Sequence, residues 1–242
     1  FKKYTLKNEL IVSIISIPDH YHYQWIKEML IKKIPVLTVK PLTLELNQAK
    51  ELVYLSKEKS VPGFVEFHKR YDRQLRYARD TFQSGKLGIP LYSYTEYTQR
   101  KSIPMSSFRE WAHLTNIFSY LGVHYVDAIQ YVTDALPIKV CATGQKSFLI
   151  KSDIDTYDSI QCSVVWKTRE GILFNQIILC SWIESNFSSA MSAQNFKLIG
   201  STGRIDLEQK ERGVTLLTDD SSLEHVNPDF TRMYSFENGN IF

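Results

Sequence analysis

Apolar and polar positions follow two regimes along this chain. In the first third, short β-branched runs are separated by longer stretches of helical period. "ELIVSIISIPDH" carries Ile11, Val12, Ile14, Ile15 and Ile17 in one run. It is apolar on both faces, as a buried parallel strand is, and Pro18-Asp19 stops it. "HYQWIKEMLIKK" follows, with Trp25, Ile26, Met29 and Leu30 at helical spacing. "IPVLTV" reads as a second buried strand. "TLELNQAKELVYLSKEKS" reads as a helix capped by Thr43, with Ala49, Leu52, Val53 and Leu55 on its apolar side. "PGFVEFH" is a third strand, and "DRQLRYARDTFQSGKLG" a third helix closed by Ser84-Gly85 and Gly88. Strand and helix thus alternate three times. That predicts a parallel, doubly wound sheet whose ligands lie outside the carboxyl ends of the strands. Residues 18–22, Lys40-Pro41 and residues 67–70 all fall at such ends.

Near residue 90 the pattern changes. "PLYSYTEYTQR" alternates like a half-buried strand. "LTNIFSYLGVHYVDAIQYVTD" is helical in period, and Gly122 inside it is costly unless close packing requires it. Six extended runs follow: "IKVCATGQK", "DSIQCSVVWKT", "ILFNQIILCSWI", "NFKLIGST", "GRIDLEQ" and "GVTLLTD", separated by Gly, Asn and Ser. They predict an antiparallel sheet of about five or six strands. The expected organisation is α/β + α+β: an α/β nucleotide-type domain over residues 1–88, then an α+β domain over 89–242 dominated by one sheet. "ILFNQIILCSWI" is apolar on both faces, more than one solvent-facing side permits; together with the family resemblance given below, this implies a homodimer or homotetramer through that sheet.

Composition narrows the function classes. The chain has 242 residues, of which 43% are hydrophobic and 13% aromatic, enough for a large core and one or two domains. A formal net charge of +3 is too mild for a nucleic-acid binder with a concentrated basic face. No apolar run reaches the length of a membrane span, and no signal peptide is visible. Cys141, Cys162 and Cys180 lack metal-ligand spacing, and an odd number does not make a disulfide framework. Reduced core thiols in a cytoplasmic protein are expected.

Few residues carry candidate chemistry. Tyr120, His124 and Asp127 stand at i, i+4 and i+7, on one helical face, where a phenol, an imidazole and a carboxylate can pass a proton or orient a hydroxyl. They also fit a partly buried helix whose polar groups satisfy one another. Histidine's ordinary titration range makes His124 the natural acid/base candidate. Lys40, between Val39 and Pro41, is ordinarily a solvated strand-end charge. Beside an apolar rim its pKa falls and it can protonate or polarise a carbonyl oxygen. Lys69, Arg73 and Arg76 read as one basic helical face, solvated or meeting phosphate. Trp111, His113 and Asn116 precede the His124 helix within reach of a pocket. His20 and His22 lack a carboxylate or cysteine partner at metal-ligand spacing, so no metal is expected.

Together these segments resemble one family, the Gfo/Idh/MocA oxidoreductases. "SIPDHYH" looks like its strand-end motif of Pro, a short polar residue, two variable positions and His. "VKPLTL" is similar to its Glu-Lys-Pro motif, "FHKRYD" to its Asn-x-Arg-Phe/Tyr segment, and "YLGVHYVD" to its Asp-x-Gly-x-His-x-x-Asp helix. "SGKLG" and "GSTGRI" stand where the family has such turns. The likeness runs from about residue 8 to about 232. It implies a partial Rossmann-type parallel sheet binding NAD or NADP, followed by a domain with a large, mostly antiparallel sheet. It implies a dehydrogenase or reductase acting on a CH–OH group of a sugar, nucleotide-sugar or polyol. By the resemblance Lys40 and His124 carry the proton chemistry, joined by Tyr120. Pro18, His22, Lys40, Pro41 and Arg70 meet the cofactor. Lys40, Trp111, Tyr120 and His124 meet the substrate.

This chain departs from the family pattern at identifiable places. Val39 stands for the glutamate before the lysine, Tyr120 for the aspartate four residues before the histidine, and His68 for asparagine. The glycine-rich G-x-G-x-x-G that puts a helix N-terminus against a pyrophosphate does not occur in the sequence. The expectation is that the chain begins about two βα units into the fold. The alternative reading is a non-catalytic relative that binds a sugar or a protein.

Overall fold

The computed structural model describes residues 11–187, 191–208 and 213–226. Glu9 and Leu10, which open the first expected strand, and Gln209, which closes a later one, lie outside these residues. The chain forms two compact units that divide between Glu66 and Phe67.

In the first unit, β1 (Ser13–Ile15), β2 (Val36–Val39) and β3 (Gly63–Glu66) pair in parallel in the order β1-β2-β3. The crossovers are α1 (His22–Ile31) and α2 (Leu46–Lys59). They lay Ile26, Met29, Leu30 and Leu52 against Ile15 and Val36, which forms the core of this unit. The opposite sheet face carries Ile14, Leu37 and Phe64 in register. Ile14 is 73% exposed there. Within the described residues both helices cover the Ile15 side of β1, and the other side of the strand, apolar in sequence, stays open. Thr43 does not cap α2 either. Its hydroxyl donates to the Glu45 carbonyl at 2.8 Å, and the helix starts after Glu45.

The second unit begins with a tight turn over His68–Tyr71 and α3 (Arg73–Gln83). Asp72 starts that helix by accepting the Gln74 amide at 2.9 Å, an N-cap that contributes about 1 kcal/mol. Then come β4 (Pro90–Arg100), a wide π-turn over Phe118–Gly122, and α4 (Val123–Thr133), which continues from that turn. The remaining strands are β5 (Leu136–Gln145), β6 (Ser159–Lys167), β7 (Leu173–Glu184), β8 (Ser192–Gly200), β9 (Gly203–Glu208), β10 (Gly213–Thr218) and β11 (Ser221–Val226).

All of β4 to β11 join one eight-stranded sheet in the order β11-β10-β9-β8-β4-β7-β6-β5. Five or six strands were expected. The count left out β4, read as a strand but not assigned to this sheet, and β11, whose "SSLEHV" is too polar to read as a buried strand and pairs with β10 at the sheet edge. Every pairing is antiparallel except β4 with β7. Leu75 and Ala78 of α3 and Ile129 and Val132 of α4 share a core with Phe174, Ile178, Phe196 and Leu198 of the sheet. Segment 67–88, grouped with the first domain on sequence, packs with this second unit. The opposite sheet face leaves Tyr94 and Ile177 exposed as register partners. Cys162 and Cys180 are buried, but Cys141 is exposed, because β5 is an edge strand; the expectation of three core thiols holds for two. No helix among the described residues is long and apolar enough to cross a membrane.

Candidate active site

The carboxyl ends of β1, β2 and β3 gather polar groups within the first unit. The chain leaves β1 through Pro18, whose carbonyl accepts the Tyr21 amide at 3.0 Å and starts a single helical turn, Asp19–Tyr21. His22 is wholly buried. Its Nδ1 lies 2.7 Å from the Pro41 carbonyl oxygen and its Nε2 2.9 Å from that of Ile17. The imidazole therefore ties the exit of β1 to the exit of β2. Both ring nitrogens face backbone oxygens, so the side chain holds these two loops together. Lys40 follows β2 directly, and its peptide bond to Pro41 is cis. Burial pulls the Lys40 amine down to about 8, while Asp19 and Glu66 pull it back up. An amine in that range exchanges a proton near neutral pH, which an ordinary surface lysine does not. Lys40 is half-buried, not fully solvated.

The second unit builds its own polar cluster at the start of α4. His124 is buried and Tyr120 partly so. The His124 ring lies 4.6 Å from that of His68, edge to face, and 6.3 Å from that of Tyr97. Tyr120 belongs to an aromatic group with Phe108 at 5.1 Å, Trp111 at 6.1 Å and Trp182 at 6.1 Å. Trp111 and Tyr120, both expected to meet substrate, are therefore brought together. Tyr97 links the two groups: burial, and then the Tyr120 phenol, raise its pKa. The π-turn modifies the expected i, i+4, i+7 stripe, because its extra residue rotates Tyr120 relative to α4. Asp127 grips Arg70 with both oxygens, Nε to Oδ2 at 2.8 Å and Nη2 to Oδ1 at 2.5 Å. This bidentate pair raises the Arg70 pKa and commits the guanidinium fork that the sequence offered to a cofactor. Asn116 accepts the Ser119 amide at 2.8 Å, so it shapes the entry to the π-turn.

Sequence reasoning missed Lys69. Read as part of a basic helical face, it is instead 5% exposed, in the turn before α3. Its Nζ donates to Gln194 Oε1 at 2.5 Å and stands 5.4 Å and 5.2 Å from the ring centroids of Tyr97 and Tyr125. Burial lowers this amine to about 8 as well. The signal that could have found it is Asp72: a capping aspartate starts the helix at Arg73 and leaves Lys69 outside the helical period. Among the described residues, no group of three or more His, Cys, Asp or Glu is arranged to hold a metal ion.

Residues 75–206 match the GFO/IDH/MocA C-terminal domain, and residues 3–67 match the oxidoreductase family's NAD-binding Rossmann fold. The chain belongs to the GFO/IDH/MocA oxidoreductase family. An uncharacterised oxidoreductase of Schizosaccharomyces pombe is 27% identical over 193 residues, 74% of this chain and 50% of that protein. The scyllo-inositol 2-dehydrogenase (NAD(+)) of Bacillus subtilis is 29% identical over 110 residues, 46% of this chain and 31% of that protein. An inositol dehydrogenase homologue from Azotobacter vinelandii, crystallised with NADH and myo-inositol, superposes with a TM-score of 0.76 at 15% identity, covering 88% of this chain and 55% of that one. This chain thus spans about half the length of these relatives, or less.

Proposed function

We propose that this chain carries the proton-handling residues of an NAD- or NADP-dependent oxidoreductase acting on a hydroxyl or carbonyl of a sugar, nucleotide-sugar or polyol. The observation that carries this reading is Lys40: an amine at the end of a parallel strand, held near 8 by burial against two carboxylates. The residues present suit the ribose and nicotinamide end of a dinucleotide, since an ammonium beside carboxylates can donate to a ribose hydroxyl while Pro18 and Pro41 shape the loops around it. Nicotinamide, when bound, supplies the hydride acceptor or donor. Oxidising an alcohol releases one proton from the hydroxyl as hydride leaves its carbon. In this reading His124 and Lys40 are the residues that handle that proton. Tyr120 and Trp111 present an aromatic wall with one phenol, suited to the apolar faces and hydroxyl edges of a sugar ring. The same reading includes assembly as a homodimer or homotetramer through the uncovered face of the large sheet.

The test is reduced-nicotinamide absorbance with the full-length protein and a panel of sugars, polyols and nucleotide-sugars. Turnover is expected with at least one of them, and Lys40→Ala and His124→Ala should each lose roughly a hundredfold or more in kcat. Near-normal rates in either variant would remove that residue from the chemistry. Sugar binding without turnover, and no cofactor binding by calorimetry, would favour the non-catalytic alternative, to which Val39 and Tyr120 lend their support.

A further inference from the structure

Val39 is the departure that most directly touches Lys40, and the sheet register shows what stands beside it. Val39 pairs in parallel with Glu66. Register partners on adjacent strands project from the same sheet face, so Glu66 occupies the position next to the one where the family motif has its glutamate. Lys40 directly follows Val39 at the end of the central strand. Asp19 opens the helical turn that follows the other neighbouring strand, β1. Both strand-end carboxylates act on the Lys40 ammonium, each raising its pKa against burial, Asp19 more than Glu66. On α1, in the same corner, the titratable group is His22, whose ring nitrogens face the Ile17 and Pro41 carbonyls.

We infer that the acidic anchor of Lys40 has moved to the neighbouring strand: Glu66, together with Asp19, does for Lys40 what a carboxylate at position 39 would do. Glu66 is a positioning residue that acts through Lys40 and does not itself touch substrate. Without an opposing carboxylate, burial alone would drive the amine further toward its neutral form, and Lys40 would lose the proton it exchanges. The catalytic meaning of this anchor rests on the function proposed above; the anchor itself does not.

The experiment is competitive acylation of the Lys40 amine across pH, quantified by mass spectrometry on the full-length protein without cofactor. Glu66→Gln should lower the midpoint by about half a pH unit, roughly a threefold rise in labelling at fixed pH below it. Adding Val39→Glu to that variant should restore the midpoint, and Val39→Glu alone should raise it above the starting value. The last variant reads the same field should Glu66→Gln fail to fold. An unchanged midpoint in Glu66→Gln, or no rescue by Val39→Glu, would overturn the inference. The pH–rate profile separates the two ideas. If labelling shifts with Glu66 while the kinetic limb stays fixed, the anchor stands and Lys40 is not the proton carrier.

Discussion

Lys69 is a charged side chain that the fold has taken out of water, and its cost has a definite pH signature. Its folded pKa of about 8 lies below the ordinary 10.5. Between those values the unfolded chain holds the extra proton and the folded chain does not, so stability rises with pH through that window. Below about 8 the full cost of a buried ammonium is present, on the order of 3 kcal/mol. Lys69→Met keeps the stem and removes the charge. It should raise the melting temperature at pH 7 and flatten its rise between pH 8 and 10.5, measured at constant ionic strength. A slope like that of the parent protein would mean that another group accounts for it. The places of Lys40 and His124 in the fold were legible in the sequence because each sits in an element that could be read: a strand exit, or a helix face. Lys69 was not, because its partners Tyr97, Tyr125 and Gln194 come from distant elements. Glu66 escaped notice for a similar reason, since only the β2–β3 register places it beside Val39.

Two glycine-bearing segments show how elements lock together. The turn that closes the α3 segment and the turn between β8 and β9 interlock: the Ser201 amide donates to the Ile89 carbonyl at 2.9 Å, and the Thr202 hydroxyl to the Lys86 carbonyl at 3.1 Å. A Cβ on Gly200 would stand 1.9 Å from the Leu87 carbonyl oxygen, a backbone atom that cannot swing aside. On Gly122 it would meet the Phe118 ring at 2.6 Å, a side chain that can be trimmed. Gly200→Ala should therefore cost more than Gly122→Ala, which is expected at about 1–3 kcal/mol. Phe118→Leu should recover part of the Gly122→Ala loss and none of the Gly200→Ala loss. Urea denaturation midpoints would check both, and equal recovery by Phe118→Leu would contradict this ranking. The sequence already placed "SGKLG", "GSTGRI" and the costly Gly122; what it lacked was the partner of each. Strand existence was likewise legible from alternation. The β4–β7 parallel pairing was not, because period-2 patterning fixes which face is buried and leaves the neighbour open.

At the scale of the whole molecule, the large sheet has one face under α3 and α4 and another bearing Tyr94 and Ile177, the latter 51% exposed. An apolar centre on an open sheet suits a second copy of the chain. Ile177→Lys should leave the fold intact, because that side chain touches water already, and should convert a dimer or tetramer to a smaller species in sedimentation velocity. Unaltered assembly would place the interface elsewhere. The strand order carries one more consequence, for the chain as it is being made. β4 sits inside the sheet, yet both of its neighbours, β7 and β8, are translated long after it, while the β5–β6 hairpin between them in sequence can pair early. Until Leu173 and the residues beyond it emerge from the ribosome, β4 therefore waits with two open hydrogen-bonding edges. Its pairings are among the most distant in the sheet, the kind that form slowly. A nascent chain stalled before that point displays the bare strand edges on which other chains aggregate.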